Sequence, residues 1–244
     1  YQDEILAGTM TVFDLIGKIE QFGVAGVELR REVWSNYQSE APVLRDRLQE
    51  KGLIGTYATF STLFSADAAA QTLLLHDLET AQALGSPLLR VFSGTIPNDT
   101  DAAAWEAAGE AVDYAASLGI VIALENFNKL PGGRVSEILH VLERIPSPAL
   151  KTNFDIGNYA GHGEDIPAAA RALGSRITYA HLKDRTGMAA DAGTIALGDG
   201  VMPLREIMTA LDELPQDILY CFEFGGDGEA DARIEKSLAY LRAL

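Results

Sequence analysis

The chain has 244 residues, 48% of them hydrophobic, which suits one large α/β barrel or two ordinary domains, and no apolar run approaches the roughly 18 residues of a membrane-spanning helix. A net charge of −16, from 35 acidic and 19 basic residues, argues against a nucleic-acid partner, because phosphate binding needs a basic surface. The single Cys221 excludes an internal disulfide. With no secretory signal in YQDEILAGT, a reducing, cytoplasmic compartment is expected. That opening also lacks an initiator Met, so the chain is expected to begin inside a longer sequence.

A first helix is signalled at Thr11, with Asp14 three residues on and an apolar stripe of Phe13, Ile16, Ile19 and Phe22 stopped by Gly23. VAGVELR reads as a strand ending at Glu28 or Arg30. A helix from Pro42 to Lys51 precedes the strand IGTYATF, which ends near Thr59. Ser65 or Asp67 caps a helix to Leu84, and PLLRVFSG is a strand. Thr100 or Asp101 caps a helix to Leu118, IVIALENF is a strand, and VSEILHVLERI is a helix ended by Pro146. ALKTNFDI is a strand that stops on Asp155 and breaks at Gly157. IPAAARAL is a helix and ITYAHLKD a strand. A long loop from Arg185 to Val201 reads as a lid. MPLREIMTALDEL (helix), ILYCFEF (strand) and EADARIEKSLAYLRAL (helix) close the chain.

Glycines at 23, 52, 85, 119 and 174 separate helix from strand, each suited to a left-handed helix end. The strands are Val-, Ile- and Leu-rich runs, as expected for a parallel sheet covered on both faces. Over the first five strands the ends recur about every 32 residues, the period of a (β/α) unit. The expected fold is therefore a single-domain (β/α)8 TIM barrel over residues 1–244. Only seven strands accompany eight helices, so strand 1 is expected upstream of residue 1. A doubly wound open sheet has no G-x-G-x-x-G in its favour.

Barrel active sites lie at the C-terminal ends of the strands. Four successive strand ends here offer Glu125, Asp155, His181 and Glu223. Three carboxylates brought together repel by roughly 3 kcal/mol per pair at about 5 Å and an effective dielectric near 20. A divalent cation would relieve that, and three carboxylates with one imidazole suit Mn²⁺, Mg²⁺ or Co²⁺ better than a closed zinc site. Lys183 points the same way as His181, two residues along the strand, as a candidate proton donor or carbonyl-polarising group. Arg185 is a candidate for a substrate anion and Glu28 for substrate contact or an ion pair. Phe92, with Tyr57, Phe60, Phe64, Trp34 and Phe127, is a candidate for an apolar wall.

GVELR, ALENF, NFDIGN, AHLKD with LGDG downstream, and CFEF, in that order from Gly23 to Glu223, resemble the xylose-isomerase-like TIM barrels. That group also contains ketose 3-epimerases, hydroxypyruvate isomerase, inosose dehydratase and endonuclease IV. The resemblance implies that Glu125, Asp155, His181 and Glu223 are metal ligands and that Glu125 and Glu223 remove and return a substrate proton. The implied activity is isomerisation or epimerisation of a keto-sugar or polyol derivative, by a homodimer or homotetramer. Three positions depart from the family pattern: Phe127 and Asn158 stand where many members carry His, and Arg185 falls two residues early. Asn158 is retained as a candidate substrate contact. A lyase or dehydratase using the same proton abstraction is the alternative. An endonuclease needs more than four His and a basic surface, and a catalytically silent barrel would not need all four ligand positions filled.

Overall fold

The apolar runs between the glycines become strands; most are covered on both faces, while Gly26–Arg30 and Leu219–Phe222 are only partly buried. In the computed structural model, which describes residues 1–244, the strand Leu88–Gly94 is buried at all seven positions. The principal strands are β1 (Gly26–Arg30), β2 (Ile54–Phe64), β3 (Leu88–Gly94), β4 (Val121–Glu125), β5 (Leu150–Asp155), β6 (Ile177–Leu182) and β9 (Leu219–Phe222). They form one seven-stranded sheet in the order β1-β2-β3-β4-β5-β6-β9, parallel at β1/β2, β2/β3, β5/β6 and β6/β9. This is the one-step order of a TIM barrel. Two further short strands, β7 (Asp184–Arg185) and β8 (Thr194–Ile195), pair antiparallel inside the long loop.

Ten α-helices are present: α1 (Gln2–Leu6), α2 (Leu15–Phe22), α3 (Tyr37–Glu50), α4 (Ala68–Leu84), α5 (Ala102–Ser117), α6 (Val135–Arg144), α7 (Ile156–His162), α8 (Ile166–Leu173), α9 (Leu204–Asp212) and α10 (Ala230–Arg242). Two of these, α1 and α7, go beyond the expected eight. Helix α2 starts later than Thr11 implies. The Asp14 carboxylate accepts from the Thr11 amide at 2.7 Å and its hydroxyl at 2.8 Å, which shapes a turn ahead of the helix rather than the helix itself. Helix α3 starts before Pro42 and contains it, and β2 runs past Thr59 to Phe64 with a register break between Ala58 and Thr62. Asp67 and Asp101 do cap α4 and α5, accepting from Ala69 and Ala104. No helix is long and apolar enough to cross a membrane.

The chain divides into two compact units, residues 1–124 with 145–150, and residues 125–144 with 151–244. In the first, an ionic clamp joins the turn after β1 to β2 and α4. Asp77 of α4, 1% exposed, receives Arg31 at 2.7 and 2.9 Å and the Ser61 hydroxyl at 2.6 Å. Glu32 accepts from Arg31 at 3.1 Å and from the Phe60 amide at 2.8 Å.

In the second unit the 185–201 loop is fastened at its stem. Asp184, 1% exposed, accepts from the amides of Arg185, Gly198, Gly200 and Met202 at 2.8–3.1 Å. The Arg185 guanidinium donates to the carbonyls of Gly157, Ala189, Ala190 and Ala192. A carboxylate and a guanidinium thus satisfy backbone groups that the irregular loop leaves without ladder partners.

Burial pushes the Asp77 carboxyl up, and its hydrogen bond from Ser61 and the charge of Arg31 only partly oppose it. A raised folded pKa favours the protonated form, so this group's contribution is full below its unfolded pKa and is lost as pH rises through the folded value. Replacing Arg31 by Met leaves the carboxylate uncompensated. Arg31→Met should cost about 3 kcal/mol at pH 7 and progressively less toward pH 4, as measured by urea unfolding across that range.

Candidate metal centre

Glu125 is the last residue of β4 and Asp155 the last of β5. His181 lies one residue from the end of β6, in register with Asp155, and Glu223 follows β9 directly. Their ligand atoms all lie within 4.8 Å of one another. His181 Nδ1 is the hub, at 3.2 Å from Glu223 Oε2, 3.5 Å from Asp155 Oδ2 and 3.7 Å from Glu125 Oε2. Asp155 and His181 are fully buried and Glu125 is 3% exposed, whereas the Glu223 side chain is 21% exposed. The cluster therefore opens to solvent on the Glu223 side.

Asp155 and Glu125 are held from behind. Asp155 Oδ1 accepts from the Asn158 amide at 2.7 Å and caps α7, leaving Oδ2 to face the cluster. The Asn126 side chain grips the Asp155 backbone twice, accepting from its amide at 2.8 Å and donating to its carbonyl at 2.9 Å. Asn158 Nδ2 donates to Glu125 Oε1 at 2.9 Å, which turns Oε2 inward. Asn153 Nδ2 lies 3.1 Å from His181 Nδ1 and 3.4 Å from Glu125 Oε2, and Tyr179 meets the His181 ring edge-on at 5.2 Å.

The Lys183 ammonium sits against Asp155 Oδ2 at 2.7 Å and contacts Glu223 Oε2. Its stem runs over Gly157, where a Cβ would stand 2.6 Å from Lys183 Cγ and Cδ, so a side chain there would displace the lysine. Burial alone would raise the Asp155 carboxyl, but the Lys183 charge and the hydrogen bond and charge of His181 outweigh it and hold the group well below the usual carboxylate range.

The residues fit a divalent cation. Three carboxylates and one imidazole are its donor chemistry, and ligands about 2.1 Å from a common centre stand about 3 Å apart, close to the His181 separations. Lys183 supplies one positive charge against three negative ones, so the group as it stands remains anionic.

The remaining candidates have partners of their own. Asn158 is buried and turned onto Glu125. Arg185 is 3% exposed, and its Nη1 and Nη2 groups donate to carbonyls of α7 and of the loop. Glu28 pairs with Arg30 at 3.3 Å, and Phe92 packs on Phe60 beneath Arg90, all within the first unit. Asn126 and Asn153 were not singled out from the sequence, and Gly157 was read only as the residue that breaks the strand. Only Asn153 carried a signal, lying two residues before Asp155 on the same strand face.

Three carboxylates and an imidazole are thus gathered at the strand ends of a (β/α) barrel, an arrangement able to hold a metal ion. Residues 16–244 match the family model described as the xylose isomerase-like TIM barrel, and the chain belongs to that family. It is 32% identical to fructoselysine 3-epimerase of Escherichia coli O157:H7 over 102 residues, 41% of this chain and 36% of that protein. It is 34% identical to 2-epi-5-epi-valiolone 7-phosphate 2-epimerase of Actinoplanes sp. over 163 residues, 64% of this chain and 57% of that protein. The matches thus span between about a third and somewhat over half of these relatives. Among solved structures, the IOLI protein with a bound zinc atom superposes with a TM-score of 0.80 at 15% identity, covering 96% of this chain and 92% of that one.

Asn126 bridges β4 and β5 through two backbone contacts and is itself fully buried. Asn126→Ala should cost about 2 kcal/mol, read from the midpoint of urea unfolding; a shift near zero would mean that Asp155 is held in place by other contacts.

Proposed function

We propose that this chain is a divalent-metal-dependent sugar isomerase or epimerase that moves a proton next to a carbonyl of a keto-sugar or polyol derivative. The observation that carries this reading is that two carboxylates, Glu125 and Glu223, turn Oε2 toward the same imidazole nitrogen from different strands. Both curated relatives are named as epimerases, which supports the reaction class. A divalent ion (Mn²⁺, Mg²⁺ or Co²⁺), when bound by Glu125, Asp155, His181 and Glu223, would polarise neighbouring carbonyl and hydroxyl oxygens and acidify the C–H between them.

The protein's own groups then divide the work. Glu125 is buried and held by Asn158, so its carboxylate keeps one orientation. Glu223 is reachable from solvent and carries the Lys183 ammonium, so it can exchange a proton with the surroundings. One carboxylate takes the substrate proton and the other returns it; delivery to the opposite face inverts the carbon. Lys183 lies beside Glu223, so its ammonium, released from the carboxylate oxygens when an ion is bound, can donate to a substrate oxygen. The same arrangement of base and neighbouring proton donor supports a second reading, elimination of water or another group from a keto-sugar or keto-inositol.

Glu223→Gln should abolish exchange of solvent deuterium into substrate and lower kcat by at least about 100-fold, as expected for loss of a general base. Exchange at the wild-type rate would remove Glu223 from the proton path. Incubating the manganese-loaded protein with a panel of keto-sugars and reading products by NMR separates the reactions: an epimer or isomer is expected, and a dehydrated product would establish the elimination.

A further inference from the structure

Lys183 does more than stand near the centre, because it uses the oxygens that a cation would use. Asp155 Oδ2 and Glu223 Oε2 are the oxygens turned toward His181 Nδ1, and both are in contact with the Lys183 ammonium. Asp155 has no second oxygen to offer freely, since Oδ1 is bound by the Asn158 amide at the start of α7. Resting on the metal-dependent reading above, we propose that Lys183 is a built-in competitor for the divalent ion. Its ammonium and the ion claim the same two carboxylate oxygens, so loading the centre requires the lysine to move aside, and Lys183 thereby sets the affinity of the centre.

Three features support a lysine suited to this work. Its stem lies in a path that Gly157 alone keeps open at the first turn of α7. Its ammonium, itself buried, reaches the cluster beside Glu223, the most exposed of the four cluster residues. It is also a flexible chain ending in a compact charge, which can leave one carboxylate pair without disturbing the backbone. Buried carboxylates without a counter-charge repel one another, and the lysine offsets that charge as an ion pair while leaving Asp155 Oδ2 without a hydrogen bond. On this view Lys183 is a positioning residue for the cluster whose displacement accompanies cation binding.

The test is isothermal titration of MnCl₂ into the whole chain after chelator treatment and dialysis, with melting temperature followed with and without Mn²⁺. Lys183→Met should bind Mn²⁺ at least about tenfold more tightly than wild type, because one positive charge and one competitor are gone. It should also melt lower without the ion and gain more on adding it. Wild type and Lys183→Met binding with equal affinity, or the variant binding more weakly, overturns the proposal while leaving the metal centre standing. Absence of binding by both proteins overturns the metal reading and the proposal with it. Should Lys183→Met fail to fold, Gly157→Ala pushes on the lysine stem while keeping its charge. Tighter Mn²⁺ binding is again expected, and unchanged or weaker binding by the folded Gly157→Ala protein overturns the proposal.

Discussion

Three carboxylates and an imidazole are gathered at the ends of four strands in a space less than 5 Å across. Much of the second unit exists to make that arrangement tolerable. Each buried anion must meet positive charge or hydrogen-bond donors, or the fold would keep it in water. The observed solution is layered. Asparagine amides and a helix N-terminus take the outward-facing oxygens, and Lys183 and the imidazole take the inward-facing ones. What remains is net negative and opens on one side, which is the form a cation-assisted site requires.

The scaffold delivers these groups with little freedom. Parallel pairing sets Asp155 opposite His181, and the Glu223 amide bonds the Leu182 carbonyl at 3.0 Å just beyond β9. The loop that follows β6 is fixed at its root by Asp184 and Arg185, two ionic side chains directed at backbone rather than at each other. The Arg185 guanidinium binds backbone carbonyls of α7 and of the loop.

The fold and the four cluster residues were legible because both depend on local regularities. Apolar runs, glycine stops and a constant (β/α) period place the ends of the four strands that carry the cluster within a residue, though β2 runs five residues past its expected end, and a barrel brings strand ends together. The supporting contacts were less legible because they join residues far apart in sequence. Asn126 reaches Asp155 across 29 positions and Asn158 reaches Glu125 across 33, distances that no motif spans. Helix α7 was hidden for a different reason. Gly157 reads as a strand breaker, yet Asp155 three residues before the Asn158 amide is a helix cap in which the capping residue also ends the strand. The role of Arg185 turns on carbonyls that converge only once the loop has folded.

The two oxygens of Asp155 serve different masters. One belongs to the folding of α7 and the other to the cluster. A lineage that lost the chemistry would still be under pressure to keep an aspartate or a close substitute there, because the helix start depends on it. Persistence of this residue among relatives is therefore weak testimony of retained activity. Glu223, which lies beyond its strand and caps no helix, is the more informative position at which to look for decay.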